Sequence, residues 1–506
     1  MKSFIKKWYP LFLILILALA LRIYLLINRG TFWFDENFSI HFSSIASWTE
    51  TIKYWVLETN PPLYTFFLRF YLSFINENNE TLVRLPSLVF STASIILLYI
   101  FAQKMFSRRA AITSATLLSI STLSLFISVE ARVYSLLTFL TILSFYLFQK
   151  LAFDGKLNTY GNNKQWILYF FVNLFLLYAH LTGAVVLICQ FIMLAAVKTR
   201  REKFWSWFKM NLLAVGFYLV WLVPSVLNKM NLKLGTAWYF ETNGDILNLL
   251  FAPIFNTIIS GFQETLFFIV FIIIMYLLIR DISGEKHKDR KALILVSIWA
   301  LLPPVLSAFL GVFVLKYIVI AYPALYLFYS YFLDKYVASN KLFALIFAVI
   351  LLISLPHTYL LVSKPIFSWR DITGYIEANE NETTVTMVPF MEALSFNKYY
   401  KGNRPVIGVY MYDDNLSLEE RIVRYNWNLL ETTDEHLQAW LFTNIERECA
   451  TKVFSIHPSD TFERLDETFL ENGWTLDEVQ KPYGLSLNNL YIFNAPANYT
   501  TSSTCR

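Results

Sequence analysis

The stretch "WYPLFLILILALALRIYLLINRGTFWFDENFSIHF", Trp8 to Phe42, decides the fold. Its first part is a predominantly apolar run interrupted only by Arg22. A helix needs roughly 20 such residues to cross a bilayer. Its second part sets two adjacent carboxylates, Asp35 and Glu36, among aromatics where that span ends. A lipid-facing helix excludes such acids, and an ordinary loop has no need of the pair.

The rest of the chain repeats the first pattern. Of its 506 residues, 56% are hydrophobic and 18% aromatic, and only 16% are charged. An ordinary soluble protein is about 25% charged. About eleven stretches before Ser363 have the length and composition of spans: 8–28, 84–103, 110–128, 132–150, 166–181, 183–198, 210–228, 264–280, 292–310, 317–334 and 341–362. The formal net charge of +5 is unevenly placed. Every second connection is basic, as at Lys2, Lys6 and Lys7, at Arg108 and Arg109, at Lys198 to Lys203, and at Arg280 to Lys291. The positive-inside rule makes those connections, and the N-terminus, cytoplasmic. An odd number of spans then puts residues 363–506 outside. The first segment lacks a small-residue cleavage site and reads as a retained span rather than a signal peptide. Cationic loops on the cytoplasmic side argue against a nucleic-acid partner. Cys189 lies within a span, while Cys449 and Cys505 lie in the tail, where pairing and two separate thiols are both open.

The predicted fold is therefore a polytopic α-helical membrane domain, residues 1–362, followed by a soluble extracytoplasmic α/β domain, residues 363–506. The first outer loop, about 29–83, carries aromatic amphipathic segments. Phe38, Phe42, Ile45 and Trp48 recur at helical spacing and predict a helix lying in the membrane interface. "NPPLYTFFLRFYLSF" (60–74) predicts another after the turn at Pro61 and Pro62. "GDILNLLFAPIFNTIISGF" (244–262), in the outer loop 229–263, also reads as interfacial. In the tail, "TTVTMVPF", "RPVIGVYM", "KVFSIH" and "LYIFNA" read as strands, and "ERIVRYNWNLLE" and "DTFERLDETFLENG" as helices.

With that topology, polar residues far apart in sequence fall at one depth, the outer ends of spans. They are Asp35 and Glu36, Arg84 in "VRLPS", Glu130 and Arg132 in "SVEARVYSLL", His180 in "YAHLTG", and Lys316 and Tyr317 in "LKYIVIAYP". Convergence on one face is how a site between helices is built. Each residue also has a plainer reading. Asp35 can cap the helix that follows, and Glu36 suits any first helical turn. Arg84 and Lys316 can reach lipid headgroups, as can Arg22, which is left outside the site. Glu130 and Arg132 can form a solvated connection, His180 can simply pack, and Tyr317 can belong to an interfacial belt. No His/Cys cluster has zinc spacing, and no Gly-rich phosphate loop is present. Asp35 and Glu36 offer oxygens to a divalent cation, on the thin basis of two adjacent acids.

"FWFDENFS", "NPPLYTFFLRF", "RLPS", "VEARVYSLL", "YAHLTG" and "KYIVIAYPAL", in that order, resemble the serial motifs of bacterial glycosyltransferase family 39. That family is related to protein O-mannosyltransferases and to the lipid A aminoarabinose transferase, within the GT-C class of polytopic transferases. The resemblance covers about 1–360, and "SWRDITGYIEANE" (368–380) is similar to the start of the external domain in such proteins. It implies a bacterial cytoplasmic-membrane enzyme that moves a hexosyl or pentosyl group from a polyprenyl-phosphate donor to an acceptor hydroxyl, with inversion, at the outer leaflet. Asp35 would accept the hydroxyl proton. Arg132, Lys316 and Arg84 would neutralise the departing lipid phosphate, and Tyr317 would hydrogen-bond it. Glu36 and Glu130 would orient the acceptor or hold a cation in place, and His180 would line the substrate site. Two positions depart from the pattern: Asn37 follows the acid pair where a small residue is frequent, and Lys316 stands where Arg is common. Lysine keeps the charge without the bidentate geometry.

Two other classes compete. A transporter or flippase of lipid-linked sugars is expected to show repeats or broken helices at mid-membrane. A membrane-anchored binding protein would not need acids and cations at five separate span ends.

Overall fold

The computed structural model describes the whole chain except residues 1, 46, 58–59, 155–162, 198–200, 232–243, 256–260, 285–286, 364–367, 390–391, 410–433, 459–462, 481–487 and 498–506. It separates into two compact units. The first comprises Met1–Ile27, Trp55–Met230 and Trp238–Ser363; the second is built on Asn28–Tyr54 and Lys364–Arg506. The start of the first outer loop thus groups with the C-terminal domain, whereas the sequence assigns it to the membrane domain.

In chain order, α1 (Lys2–Asn28) is followed by α2 (Phe34–Ser44), α3 (Trp48–Leu57) and α4 (Leu63–Leu72). Then come α5 (Glu80–Met105), α6 (Arg108–Ile120), α7 (Thr122–Ser128) and α8 (Tyr134–Gln149). Next are α9 (Asn163–Ala179), α10 (Gly183–Ala196), α11 (Arg201–Asn231) and α12 (Ile246–Phe255). The last of this unit are α13 (Phe262–Gly284), α14 (His287–Phe309), α15 (Tyr322–Tyr336) and α16 (Asn340–Ser363). Every stretch expected to span is helical, but they are not eleven equal spans. Among the described residues, seven helices are long and apolar enough to cross a membrane, or eight if the pair α6 and α7, bent by 61°, counts as one. The chain is a multi-pass membrane protein.

The shortening has local causes. Ser121 leaves helical geometry and caps α7. Residues 180–182 make a tight turn between α9 and α10. There a Cβ on Gly183 would collide with the Leu176 carbonyl, so glycine alone fits. Before α15, residues Leu315–Ile318 form a 3₁₀ turn, and Pro323 restarts the α-helix.

A break inside lipid leaves carbonyls that water cannot satisfy. Arg22 answers them. Its guanidinium is fully buried and donates to Ser119 O (2.9 Å), Leu118 O (3.5 Å) and Ala18 O (3.3 Å), and to Ser91 Oγ and Ser124 Oγ (3.0 Å each). Thr358 Oγ1 donates to Ile120 O at 3.0 Å. Arg22 therefore caps the broken end of α6 rather than reaching for headgroups. A second buried network joins α8 to α11: Ser144 Oγ donates to Asn173 Oδ1 (2.6 Å), Asn173 Nδ2 to Asn211 Oδ1 (2.7 Å), and Gln190 Nε2 to Ser144 Oγ (2.8 Å).

Two expected interfacial helices differ from their reading. The run from Phe38 to Trp48 is two helices, because α2 ends at Ser44; Phe38 and Phe42 are buried within the second unit. The described part of 244–262, α12, is buried from Leu249 to Ile254. Tyr326 OH donates to Pro253 O (3.0 Å) and Ser354 Oγ to Ile254 O (2.8 Å), capping its last turn from α15 and α16. The segment 60–74 does form a one-sided helix, α4: Tyr64, Thr65 and Leu68 are buried while Phe70 is exposed.

Besides α2, the second unit contains α17 (Trp369–Asn379), β1 (Thr384–Pro389), α18 (Ala393–Tyr399), β2 (Val406–Val409) and α19 (Asp434–Arg447), then β3 (Lys452–Pro458), α20 (Glu463–Glu471), β4 (Thr475–Gln480) and β5 (Asn488–Asn494). The sheet order is β2-β1-β3-β5-β4, parallel for β2, β1 and β3 and antiparallel around β5. Strand alternation makes two cores. Val385, Met387, Val453 and Phe493 pack with Leu441 and Phe469 on one face. On the other, Val388, Phe454, Ile456 and Ile492 pack with Trp369 of α17 and Phe396 of α18. The expected strands are present, and α17, α18, α19 and β4 are additions. The helix expected at 420–431 lies outside the described residues, as does Cys505, so the question of its pairing with Cys449 lies there too.

Candidate functional site

Four of the residues singled out at span ends meet in the membrane unit, around one they flank. Tyr134 opens α8. Its ring centroid lies 5.9 Å from that of His180 and 6.5 Å, near-parallel, from that of Tyr317, and Lys316 Nζ lies 5.6 Å from it. The His180 and Tyr317 rings are 5.4 Å apart. Arg132 and Lys316 both place positive charge near His180.

The local structure explains this convergence. His180 occupies the turn between α9 and α10 that Gly183 permits, and its ring is held by its own backbone neighbour. Thr182 N–H donates to Nδ1 at 3.2 Å, and Thr182 Oγ1 lies 2.9 Å from the same atom. An N–H can only donate, so Nδ1 accepts and Nε2 carries the proton. Burial first, then the charges of Arg132 and Lys316, lower the His180 pKa from 6.5 to about 3. The imidazole is therefore a neutral donor at physiological pH.

Glu130 and Arg132 lie in the short turn between α7 and α8, where Arg132 N–H donates to Glu130 O at 2.7 Å. Ser87 Oγ pins that turn to α5 by donating to Glu130 O at 2.6 Å. Arg84 sits one helical turn before Ser87, on the same face of α5. Arg84 and Glu130 are both buried, whereas Arg132, Lys316 and Tyr317 are half-exposed. The 3₁₀ turn carrying Lys316 and Tyr317 leads into Ile320, whose carbonyl accepts from Trp299 Nε1 at 2.7 Å. A cavity of about 240 Å³ opens beside His180 and Tyr317, and the rest of its wall is mainly apolar: Leu181, Val185, Leu306 and Ile318 are examples. His180 and Tyr317 put hydrogen-bonding groups at the edge of an oily cavity, and the charges of Arg132 and Lys316 lie near His180 outside its lining. That is the complement of a lipid phosphate or another amphiphilic anion.

Asp35 and Glu36 belong to the second unit, in the first turn of α2. They part company there. Trp33, the residue before the helix, cannot cap it with its indole. Glu36 reaches back instead, and its Oε2 accepts from Trp33 N–H at 3.4 Å. Glu36 is fully buried; Asp35 is half-exposed. Of the pair, Asp35 is the more exposed, and Glu36 is the one that accepts from the helix entry. No group of three His, Cys, Asp or Glu side chains among the described residues is placed to hold a metal ion.

Residues 59–227 match the family described as dolichyl-phosphate-mannose-protein mannosyltransferase. The apo crystal structure of ArnT from Cupriavidus metallidurans superposes with a TM-score of 0.61 at 13% identity, covering 96% of this chain and 98% of that one. The fold is that of the GT-C glycosyltransferases. The same ArnT bound to undecaprenyl phosphate gives a TM-score of 0.55 at 14% identity over 96% of this chain and 98% of that one. Within the GT-C fold a second match is the archaeal oligosaccharyltransferase AglB from Archaeoglobus fulgidus, in complex with an inhibitory peptide and a dolichol-phosphate. Its TM-score is 0.51 at 11% identity, over 89% of this chain and 70% of that one. No curated protein matches the sequence.

Sequence reasoning missed three contributors. Tyr134 lies inside the quoted motif "VEARVYSLL", where nothing in the sequence sets it apart from the many other tyrosines near span ends. Thr182 sits in "YAHLTG", and its bond to His180 depends on a turn that sequence does not reveal. Ser87 is one hydroxyl among many on a span.

Proposed function

We propose that this protein is a glycosyltransferase that moves a sugar from a polyprenyl-phosphate donor to an acceptor hydroxyl at the outer face of the membrane. The observation that carries the reading is the cluster of Arg132, His180, Lys316 and Tyr317 beside an apolar cavity. Such a site suits a phosphate whose lipid tail runs into the membrane. The GT-C fold supports the same reaction class, and a transporter has no comparable support.

The donor phosphate lies against Arg132 and Lys316, with His180 Nε2–H and Tyr317 OH as neutral donors. Asp35 takes the proton of the acceptor hydroxyl as its oxygen attacks the anomeric carbon. The bond from that carbon to the phosphate oxygen breaks, and the configuration inverts. The negative charge appearing on the lipid phosphate is what the two cations stabilise, most strongly where water is excluded. Ser87, on the face of α5 that also carries Arg84, holds the turn that presents Arg132 by donating to Glu130 O. Residues 363–506 are extracytoplasmic and the N-terminus is cytoplasmic, in a bacterial inner membrane.

The test is transfer of labelled sugar from a polyprenyl-phosphate donor by the purified protein in lipid. Transfer by the wild type and its loss in Asp35→Asn, with unchanged thermal unfolding, supports the reading. Equal transfer by both, or none by the wild type across hexosyl and pentosyl donors, overturns it.

A further inference from the structure

We infer that the C-terminal soluble domain aims the acid-bearing helix: Ser395 and Tyr399, on α18, are positioning residues that hold α2, and with it Asp35, through Asn37 and the Phe32 amide. The inference rests on Asp35 acting as proposed above.

The segment entering α2 is not regular structure, so its direction has to be fixed by tertiary bonds. Three come from the C-terminal domain. Phe32 N–H donates to Tyr399 OH at 2.8 Å. Lys398 Nζ stands 4.9 Å from the centre of the Phe32 ring. Trp369 N–H, at the start of α17, donates to Thr31 Oγ1 at 3.0 Å.

Asn37 then locks the rotation of the helix. It is buried, and its Nδ2 donates both to Phe32 O (3.2 Å) and to Ser395 Oγ (2.9 Å). One side chain joins the entering segment, α2 and α18. Two residues along an α-helix are about 200° of rotation apart. Holding Asn37 inward therefore turns Asp35, two residues earlier, to the open side, and the burial of the two residues agrees. The anchor itself is firm. Ser395 and Phe396 are fully buried, and Phe396 packs with Trp369 and Val388 in the sheet core. A displacement near 1 Å at a reacting group costs on the order of 10²-fold in rate.

The test uses the full-length protein in lipid, with Ser395→Ala, Tyr399→Phe and their combination beside wild type and Asp35→Asn. Each variant removes one oxygen and keeps the packing volume. The expected result is a fall in kcat of about 10–100-fold for the combination, with KM for the polyprenyl-phosphate donor unchanged. Amide exchange should quicken in 34–44 and stay unchanged in β1 and β3. Wild-type kcat in the combination, while Asp35→Asn is inactive, would overturn the inference and leave the proposed function intact. Exchange quickening equally through the sheet would make the two residues merely structural, which also overturns it. No transfer by the wild type would remove the proposed function and this inference together.

Discussion

Arg22 and Asn37 are both buried polar side chains that tie distant segments together, one in each unit, and their surroundings are opposite. Around Arg22 the oily matrix lies outside the helices: Phe12, Ile16 and Val220 are exposed on spans, where lipid covers them. Nothing outside can answer a broken helix, so a guanidinium with five donors is spent on the carbonyls and hydroxyls of α1, α5, α6 and α7. Around Asn37 the apolar groups are inside and water is outside. There an amide with two donors suffices to fix one helix on an α/β domain. The membrane unit carries Arg132 and Lys316 on turns beside its own helix breaks. The second unit carries Asp35 on a helix held by hydrogen bonds to its own C-terminal part.

This contrast can be broken most sharply at the two ends of the proposed chemistry. Asp35→Asn should lower kcat by roughly 10²–10⁴-fold, the usual value of general-base assistance. Glu36→Gln should lower thermal stability more than it lowers kcat, because its carboxylate serves the backbone. If both acids lose activity equally without loss of stability, the division of labour within the pair is wrong. On the cationic side, Lys316→Ala should lower kcat/KM for the donor by about 10²-fold, and Lys316→Arg should retain most activity. A neutral effect in steady-state assays would remove the phosphate role from Lys316.

Stability measurements sharpen the comparison further. Arg22→Leu leaves several buried carbonyls and hydroxyls without a donor, each worth about 1–3 kcal/mol. We expect about 3 kcal/mol of destabilisation in detergent unfolding curves, against about 1 kcal/mol for Asn37→Ala, which breaks two bonds. Equal losses would mean that lipid and water impose the same demand.

The smallest expected effect is in pH. His180 takes up a proton near pH 6.5 when unfolded and only near 3 when folded. Below pH 6.5 the unfolded chain binds more protons, so stability should decline as the pH falls toward 3. His180→Asn should flatten that slope in thermal melts, and the wild-type rate should have no inflection near 6.5 belonging to His180.

Much of this was readable from residues. Apolar length announced the helices, and Asp35 was marked by its place beside aromatics. The Lys316 and Tyr317 pair and the "YAHLTG" turn were conspicuous because polar groups are expensive among apolar neighbours. Arg22 was conspicuous too, yet its reading as a headgroup-seeking side chain failed. Sequence shows a charge in a span but not the helix break that needs it. The interfacial reading of α12 failed for a similar reason, since an apolar, proline-bearing segment looks alike on a bilayer surface and inside a bundle.

By itself the sequence determined which segments become apolar helices and which belong to the C-terminal sheet, because transfer free energy depends on composition summed along each segment. Only the tertiary structure decided that Glu36 caps while Asp35 stays open, that Tyr134 sits among Lys316, His180 and Tyr317, and that residues 28–54 group with the C-terminal domain. Those outcomes depend on hydrogen-bond direction and helix rotation. Both are set by partners up to hundreds of residues away, which no local pattern encodes.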